Sequence, residues 1–247
     1  TFMCSDIVAH IMMTMLFGGQ NDGLLASNKT TWSKVGYSPF YGGFNDLARY
    51  LLQNRAVLEK LLFDCWDVSH MEASLNEFVL QAIYELRKDY LILDEDNRRL
   101  YDFVYRHIVY SMCIDVDGYL CMMIGKNPSG SFNTLSDNTL ALILVLFYCL
   151  AKKSANISDL LKKIDKHTCA CMGDDSVVPH HPDFTDIVSD SLELGFVFKP
   201  EKPPGELADC VFTNSEFSLQ NGMWFPKPNF EKVKANVFFH FKAKSWR

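Results

Sequence analysis

The sequence predicts an α+β fold, a small antiparallel sheet backed by helices. Three observations predict it. Thr168 to Met172 is a short apolar run, Gly173-Asp174-Asp175 follows, and a second run begins with Ser176, Val177 and Val178; this reads as strand, tight turn, strand. Val57 to Phe63 is another apolar run, leading through acidic residues into a helix-like stretch, Asn76 to Arg87, with Phe78, Val79, Ala82, Ile83 and Leu86 on a helical period. Along the whole chain, helical and extended segments alternate irregularly and the extended ones meet in hairpins, unlike a regular parallel α/β repeat.

The remaining elements follow in order. Residues 1–60 read as helical with a Gly-rich break from Gly36 to Gly43. Residues 89–122 hold a charged stretch, Asp94 to Arg99, and then a hairpin through Asp117-Gly118. A Gly/Pro/Ser loop from Gly125 to Ser131 runs into a long apolar helix, Leu140 to Leu150. Beyond the acidic hairpin come a helix near Asp183 to Glu193, a rigid turn with three prolines from Lys199 to Gly205, and strands between Cys210 and Phe225. There are no repeats and no low-complexity linker.

The chain has 247 residues, enough for one large domain or two small ones. At 48% apolar and 22% charged, its composition is that of a globular protein rather than a disordered one. Eight cysteines include no Cys-x-x-Cys pair, and the placing of Cys113, Cys121 and Cys149 in apolar runs suggests reduced, buried thiols in an intracellular protein. His167, Cys169, Cys171, His180 and His181 bracket the acidic turn as a possible zinc set, but Cys169 and Cys171 lie two apart on a central strand, which suits core packing, and the spacing matches no usual site. No secretory signal is visible. The longest apolar stretch, Leu140 to Ala151, is too short to span a bilayer, so no transmembrane segment is expected.

Two adjacent carboxylates on a tight turn can hold divalent metal for phosphoryl chemistry, although Gly and Asp also favour plain solvated turns. Asp67 falls at the C-terminal end of its strand and Glu72 at the start of the next helix, where an acidic residue is also favoured by the helix dipole. Asp64 and Asp67 differ by an odd number and face opposite sides of a regular strand, so only one joins the turn; Asp67 is the choice. Gly130, Thr134 and Asn138 recur every four residues and are expected on one helix face, a small and polar stripe free to meet a ligand, with Ser129 or Ser131 as the cap.

Taken in order, these segments resemble motifs A, B and C of the RNA-dependent RNA polymerases of positive-strand RNA viruses. Asp67 and Glu72 with Ala73-Ser74-Leu75 resemble motif A; Ser129, Gly130, Thr134 and Asn138 match every position of motif B; Gly173-Asp174-Asp175 is motif C. Leu192 to Lys202 is similar to motif D, and Glu216-Phe217-Ser218 with Trp224-Phe225-Pro226 to the motif E hairpin. Lys34 to Phe44 resembles the fingers segment of astrovirus-like and sobemovirus-like enzymes.

The resemblance implies a right-hand polymerase palm plus partial fingers: residues 1–60 partial fingers, 61–240 palm with a fingers insertion at about 89–122, and 241–247 the start of the thumb. It implies nucleotidyl transfer with Asp67, Asp174 and Asp175 holding Mg2+ or Mn2+, aided by a carbonyl of Cys65, Trp66 or Val68. Glu72, Ser129, Gly130, Thr134 and Asn138 are implied at the nucleotide, with Glu72 departing from the family's commoner aspartate. Lys202 is implied as the acid that protonates pyrophosphate, with Lys199 as runner-up. The implied partners are an RNA template and primer, ribonucleoside triphosphates and other viral replication proteins, in the host cytoplasm at membrane-associated replication complexes. A net charge of −6 runs against an RNA-tracking groove. The expectation is that the family's basic motif F and most of its thumb lie outside this sequence. The bases present are grouped as Lys199 and Lys202; Lys227, Lys232 and Lys234; and Lys242, Lys244 and Arg247. Alternatives from the same residues are a reverse transcriptase-like polymerase and a catalytically silent palm serving as a scaffold.

Overall fold

Local sequence signals place the elements. Helices α1 (Ile7–Ser27) and α2 (Gly43–Leu52) flank the expected Gly-rich break. Strand β1 (Phe63–Val68) leads into one turn of helix, α3 (Met71–Ser74), and then α4 (Glu77–Asp89), whose cap Asn76 accepts from the Val79 N–H at 3.0 Å. Helix α5 (Glu95–Val109) and the ribbon β2 (Tyr110–Ile114) with β3 (Leu120–Ile124) follow. Next come α6 (Thr134–Lys152), α7 (Ile157–Lys166), β4 (Ala170–Met172), β5 (Asp175–Pro179), α8 (Ile187–Glu193) and β6 (Phe198–Pro200). The chain closes on β7 (Val211–Phe212), β8 (Ser215–Gln220) and β9 (Met223–Pro228). The structure, a computed structural model, describes residues 7–52, 61–91, 94–114, 117–127, 130–231 and 233–234. Ser129, Lys232 and the bases after Lys234 lie outside the described residues.

Helices α5 and α7 were not foreseen, yet both carry readable signals. Asp94 and Asn156 cap them through the N–H groups of Asn97 and Asp159, at 2.8 and 3.0 Å. Tyr101, Val104, Tyr105 and Ile108 then form the buried stripe of α5.

The main sheet has the order β4-β5-β1-β6, and every neighbouring pair is antiparallel. Side-chain alternation divides it between two cores. Val68, Val178 and Phe198 face the helices in one cluster with Leu142, Val145 and Leu146 of α6. Phe63, Cys65 and Val177 face the other way and pack with Phe44 and Leu47 of α2 and with Phe212 and Phe217 of the β7-β8-β9 sheet. Asp67 and Asp175 continue the rows of this second face at its end. The β4 edge is covered: the Cys171 N–H donates to the Trp32 carbonyl at 2.9 Å, and the Lys34 N–H to the Cys171 carbonyl at 2.8 Å.

Helix α6 is the spine of the first core. Ala141, Leu142, Val145, Leu146, Cys149 and Leu150 have no exposure, and burying each Leu or Val is worth about 1.5–3 kcal/mol. At 19 residues it is longer than the expected run, and by length and composition alone it could cross a membrane; half of it is buried inside the fold, as a core helix is. Its start also differs from expectation. Asn133 is the cap residue, Ser131 contributes its carbonyl to the Thr134 hydroxyl at 2.9 Å, and Gly130 lies before the helix. Thr134 and Asn138 therefore share a helix face, and Gly130 does not.

The cysteines separate. Cys65, Cys149, Cys169, Cys171 and Cys210 are buried, whereas Cys121 is exposed and Cys113 half-buried. These two stand opposite each other on the β2-β3 ribbon, with sulfurs 3.0 Å apart. The ribbon is a separate two-stranded sheet whose Met112, Ile114, Leu120 and Met122 are exposed, so an apolar sequence there does not bury its thiols.

Lys34 is fully sequestered. Its Nζ lies 3.4 Å from the Tyr50 ring centroid and donates to the carbonyls of Asn28 and Thr31 at 2.7 and 2.5 Å. Burial pushes its pKa down from 10.5 to about 7, slightly opposed by Cys171 and Cys169. The unfolded chain then binds more protons than the folded chain from about pH 7 to 10.5, so this group makes stability rise with pH across that window, while below it the buried ammonium's cost is full and independent of pH. Urea unfolding of the native chain and Lys34→Met is expected to show the native chain gaining on the variant from about pH 7 to 9. A difference that stays constant with pH would contradict it.

Candidate active site

The C-terminal end of β1 and the β4-β5 turn meet through sheet register. Asp67 pairs with Asp175 and Cys65 with Val177, so the two aspartates project from the same face. Asp174 sits at the turn, exposed, and its carbonyl accepts the Val68 N–H at 3.1 Å. Asp64 lies on the opposite face and pairs with His180 Nδ1 at 3.0 Å, as the odd spacing predicts.

Gly173 makes the turn possible, with φ at 65° in the region that favours glycine. Its N–H donates to Thr139 Oγ1 at 2.9 Å, and the Thr139 hydroxyl donates to the Leu135 carbonyl at 2.7 Å. Thr139 is fully buried, so α6 physically holds the acidic turn. Sequence reasoning missed Thr139; its signal is a hydroxyl at the head of an otherwise apolar helical run. On the other side, Asp175 takes a hydrogen bond from the Thr213 backbone. Thr213 and Asn214 form the β7-β8 turn, with φ of 50° and 61°.

The electrostatics are those of carboxylates without enough cation. Burial raises the pKa of Asp175 to about 7, and Asp174, Glu201 and Asp67 add to the rise. Asp174 is raised in the same way, by burial first and then by Asp67 and Glu72, against a backbone hydrogen bond that lowers it. Glu201, which the sequence did not single out, thus belongs to the acidic field. Its N–H donates to the Cys65 carbonyl at 3.0 Å, so that carbonyl already serves the sheet. Glu72 is exposed in the first turn of α3, and its charge reaches Asp174. An all-oxygen, like-charged set that retains a proton near neutral pH fits a hard divalent cation such as Mg2+ or Mn2+.

The other sequence-predicted residues divide. Asn127, fully buried, donates to Asn138 Oδ1 at 2.9 Å and to the Thr134 carbonyl at 3.4 Å, tying the preceding loop to the first turns of α6. Asn127 was also missed, being one polar residue in a loop of them. Lys202 Nζ lies 2.7 Å from Glu216 on β8, and Lys227 approaches the other Glu216 oxygen at 3.2 Å. The Glu216 hydrogen bond raises the Lys202 pKa. Lys199, by contrast, stands in register opposite Asp67.

The residues weighed as a possible zinc set, and disfavoured by their spacing, come together only in part. His167, His181 and Asp183 place their ligand atoms within 4.8 Å of one another, the one such trio among the described residues. Cys169 and Cys171 are instead buried in the core, and His180 belongs with Asp64. The trio is already engaged. Asp183 accepts from His167 Nε2 at 2.8 Å, His181 Nδ1 accepts the Asp183 N–H at 3.2 Å, and the ammonium groups of Lys163 and Lys166 lie 3.5 Å from Asp183 and 3.1 Å from His181. Two adjacent ammonium groups disfavour a further cation, so the trio acts as a clamp at the end of α7.

Comparison with known proteins follows this geometry. A family model described as viral RNA-dependent RNA polymerase matches residues 1–244. The genome polyprotein of Ryegrass mosaic virus (isolate Denmark/Danish) is 27% identical over 219 residues, covering 87% of this chain and 7% of the polyprotein. That of Turnip mosaic virus (strain Japanese) is 28% identical over 209 residues, covering 83% and 6%. The solved structure of Sicinivirus 3Dpol RNA dependent RNA polymerase superposes with a TM-score of 0.70 at 19% identity, covering 91% of this chain and 47% of that one, a likeness of fold. The chain therefore spans less than a tenth of those polyproteins and about half of that polymerase chain.

A divalent cation bound at Asp175 would displace the proton that this group retains near neutral pH. Manganese affinity of this chain, titrated calorimetrically in buffers of different ionisation enthalpy, is expected to tighten as pH rises, by up to about tenfold per unit below 7, and then level off, with proton release on binding. An affinity that is flat from about pH 5.5 to 7 would contradict the assignment.

Proposed function

This chain belongs to the viral RNA-dependent RNA polymerase family, and from that premise we propose that it carries the catalytic palm of an enzyme that copies RNA during viral genome replication. The observation that carries the reading is the register of Asp67 against Asp175 beside Asp174, with the raised pKa values of both turn aspartates. In this reading a primer 3′-hydroxyl attacks the α-phosphate of a ribonucleoside triphosphate and pyrophosphate leaves. Asp67, Asp174 and Asp175 would hold two Mg2+ or Mn2+ ions, which supply charge neutralisation at the attacking oxygen and at the departing phosphates.

Thr134 and Asn138 are proposed at the sugar, with Ser129 and Gly130 in the loop before them and Glu72 across the cleft. The side-chain tie from Asn127 supports a fixed orientation for Asn138. Lys202 is proposed as the acid that protonates pyrophosphate, since Glu216 keeps it charged; Lys199 is the alternative, since it stands opposite Asp67. The domain reading is likewise a proposal: partial fingers at 1–60, palm at 61–240 with the β2-β3 ribbon in a fingers insertion, and the beginning of the thumb from 241. RNA template and primer, other replication proteins and a cytoplasmic, membrane-associated site complete the proposal. A silent scaffold is disfavoured by the intact carboxylates, and a reverse transcriptase-like enzyme by the motif B residues.

The test is Asp174→Asn in the complete viral polymerase. Primer extension with magnesium is expected to fall by at least about a hundredfold, with thermal stability retained, because a shared ligand loses its charge. Near-normal extension would overturn the metal assignment.

A further inference from the structure

Arg87 and Asp137 form an ion pair sealed inside the protein, far from the usual place of such groups. Their side chains are 3% and 0% exposed, and the guanidinium reaches Asp137 Oδ1 from NH2 at 2.7 Å and from Nε at 2.8 Å. Burial works against the charge on Arg87, and Asp137 more than restores it, holding the guanidinium above its ordinary range; burial also pushes the Asp137 carboxyl up, against the Arg87 charge that lowers it, so the geometry of the contact rather than either shift carries the pairing. The Phe17 ring centroid is 5.4 Å from the guanidinium carbon.

The pair does not end with itself. Arg87 also donates to Gln20 Oε1 and Asn21 Oδ1 on α1, each at 3.2 Å, and the Gln20 amide returns a bond to the Arg87 carbonyl at 2.6 Å. Asn21 in turn donates to Asn133 Oδ1 at 3.0 Å, and Asn133 is the cap of α6. Two helices thus converge on the start of α6: α1 through Asn21 and α4 through Arg87, third from its end, meeting Asn133 and Asp137. Asn138, the next residue, is fixed from the other side by Asn127.

A buried ion pair is weak evidence of added stability, because apolar residues often do as well in its place. Its attested use is to specify one arrangement among several. We propose that Arg87 and Asp137 are a positioning pair: a buried strut that fixes the rotation of the first turn of α6 and so the orientation of Asn138 and Thr134 toward the nucleotide sugar. The inference rests on the polymerase reading for what Asn138 does, but not for the strut itself. Two donors of one planar group, Nε and NH2, converge on Asp137 Oδ1, which places that oxygen more narrowly than a single point charge would. In the reacting complex neither residue touches substrate.

The decisive variant is Arg87→Met with Asp137→Leu, which removes both charges together and leaves no orphaned ion. Two readouts are taken in the complete polymerase. Hydrogen exchange over the first two turns of α6 is expected to lose protection while the helix after Ala141 keeps it. The ratio of kcat/KM for matched ribonucleotide and deoxyribonucleotide substrates is expected to fall by about two- to tenfold, the worth of one sugar hydrogen bond. Asn138→Ala should lower the same ratio without changing exchange. A folded double variant with native protection, or with native selectivity, overturns the proposal. If the native polymerase incorporates no nucleotide, the functional reading fails and exchange alone decides the strut. If the double variant does not fold, Asn21→Ala, which cuts only the link to the cap, is read by the same two measurements and the same outcomes.

Discussion

The antiparallel register of β1 against β5 is the constraint on which the rest of this structure depends. It sets Asp67 opposite Asp175 and, by alternation, sends Val68 and Val178 into the helical core. A slip of one residue would bury the aspartates among leucines and expose the valines. Both cores oppose that slip, since Cys65 and Val177 pack against the β7-β9 side as firmly as Val68 and Val178 pack against the helices. The acidic site is thus held by hydrophobic packing on both faces of the sheet rather than by attractions among its own groups, which repel one another.

Helix α6 performs two tasks with one sequence. Its apolar residues from Ala141 onward fill the core, and its first two turns carry the polar residues Thr134, Ser136, Asp137, Asn138 and Thr139. Thr139 sits at the boundary, fully buried and bonded to Gly173, so the turn and the helix move as one unit. The same helix start is gripped by α1 and α4 through Asn21, Arg87, Asn133 and Asp137. Polar groups in this number are costly to bury, and these are bonded largely to one another, although Asp137 Oδ2 and Asn133 Nδ2 have no partner among the described residues; meeting that need for partners restricts the cluster. That requirement gives the helix start a single orientation, which a purely apolar interface would define less sharply.

Much of this was legible in the sequence where a local rule decides the outcome. Gly173 before two aspartates between apolar runs is a turn by backbone sterics, and an odd spacing between Asp64 and Asp67 is a statement about faces. The strands expected between Cys210 and Phe225, and the helix expected from Asn76 to Arg87 and observed as Glu77–Asp89, followed from pattern. What was not legible is tertiary. Gly130 shares the four-residue spacing of Thr134 and Asn138, but spacing cannot say where a helix begins, and Asn133 begins it. Glu201 and Thr139 join the site only because strands and helices far apart in sequence meet there. The β2-β3 ribbon reads as apolar and buried, yet no described layer covers it. His167 and His181, by contrast, could be read as neighbours, because they flank the β4-β5 hairpin whose register pairs Ala170 with Val177.

The central claim is that the carboxylates at the β1 end and the β4-β5 turn are where divalent metal binds, and that the histidine cluster is not. Manganese binding, followed by electron paramagnetic resonance of the free ion, separates the two directly when the native chain is compared with Asp67→Asn and His181→Ala. The account predicts that Asp67→Asn loses the tightest manganese while His181→Ala retains it at native stoichiometry. Retention in Asp67→Asn together with loss in His181→Ala would contradict it.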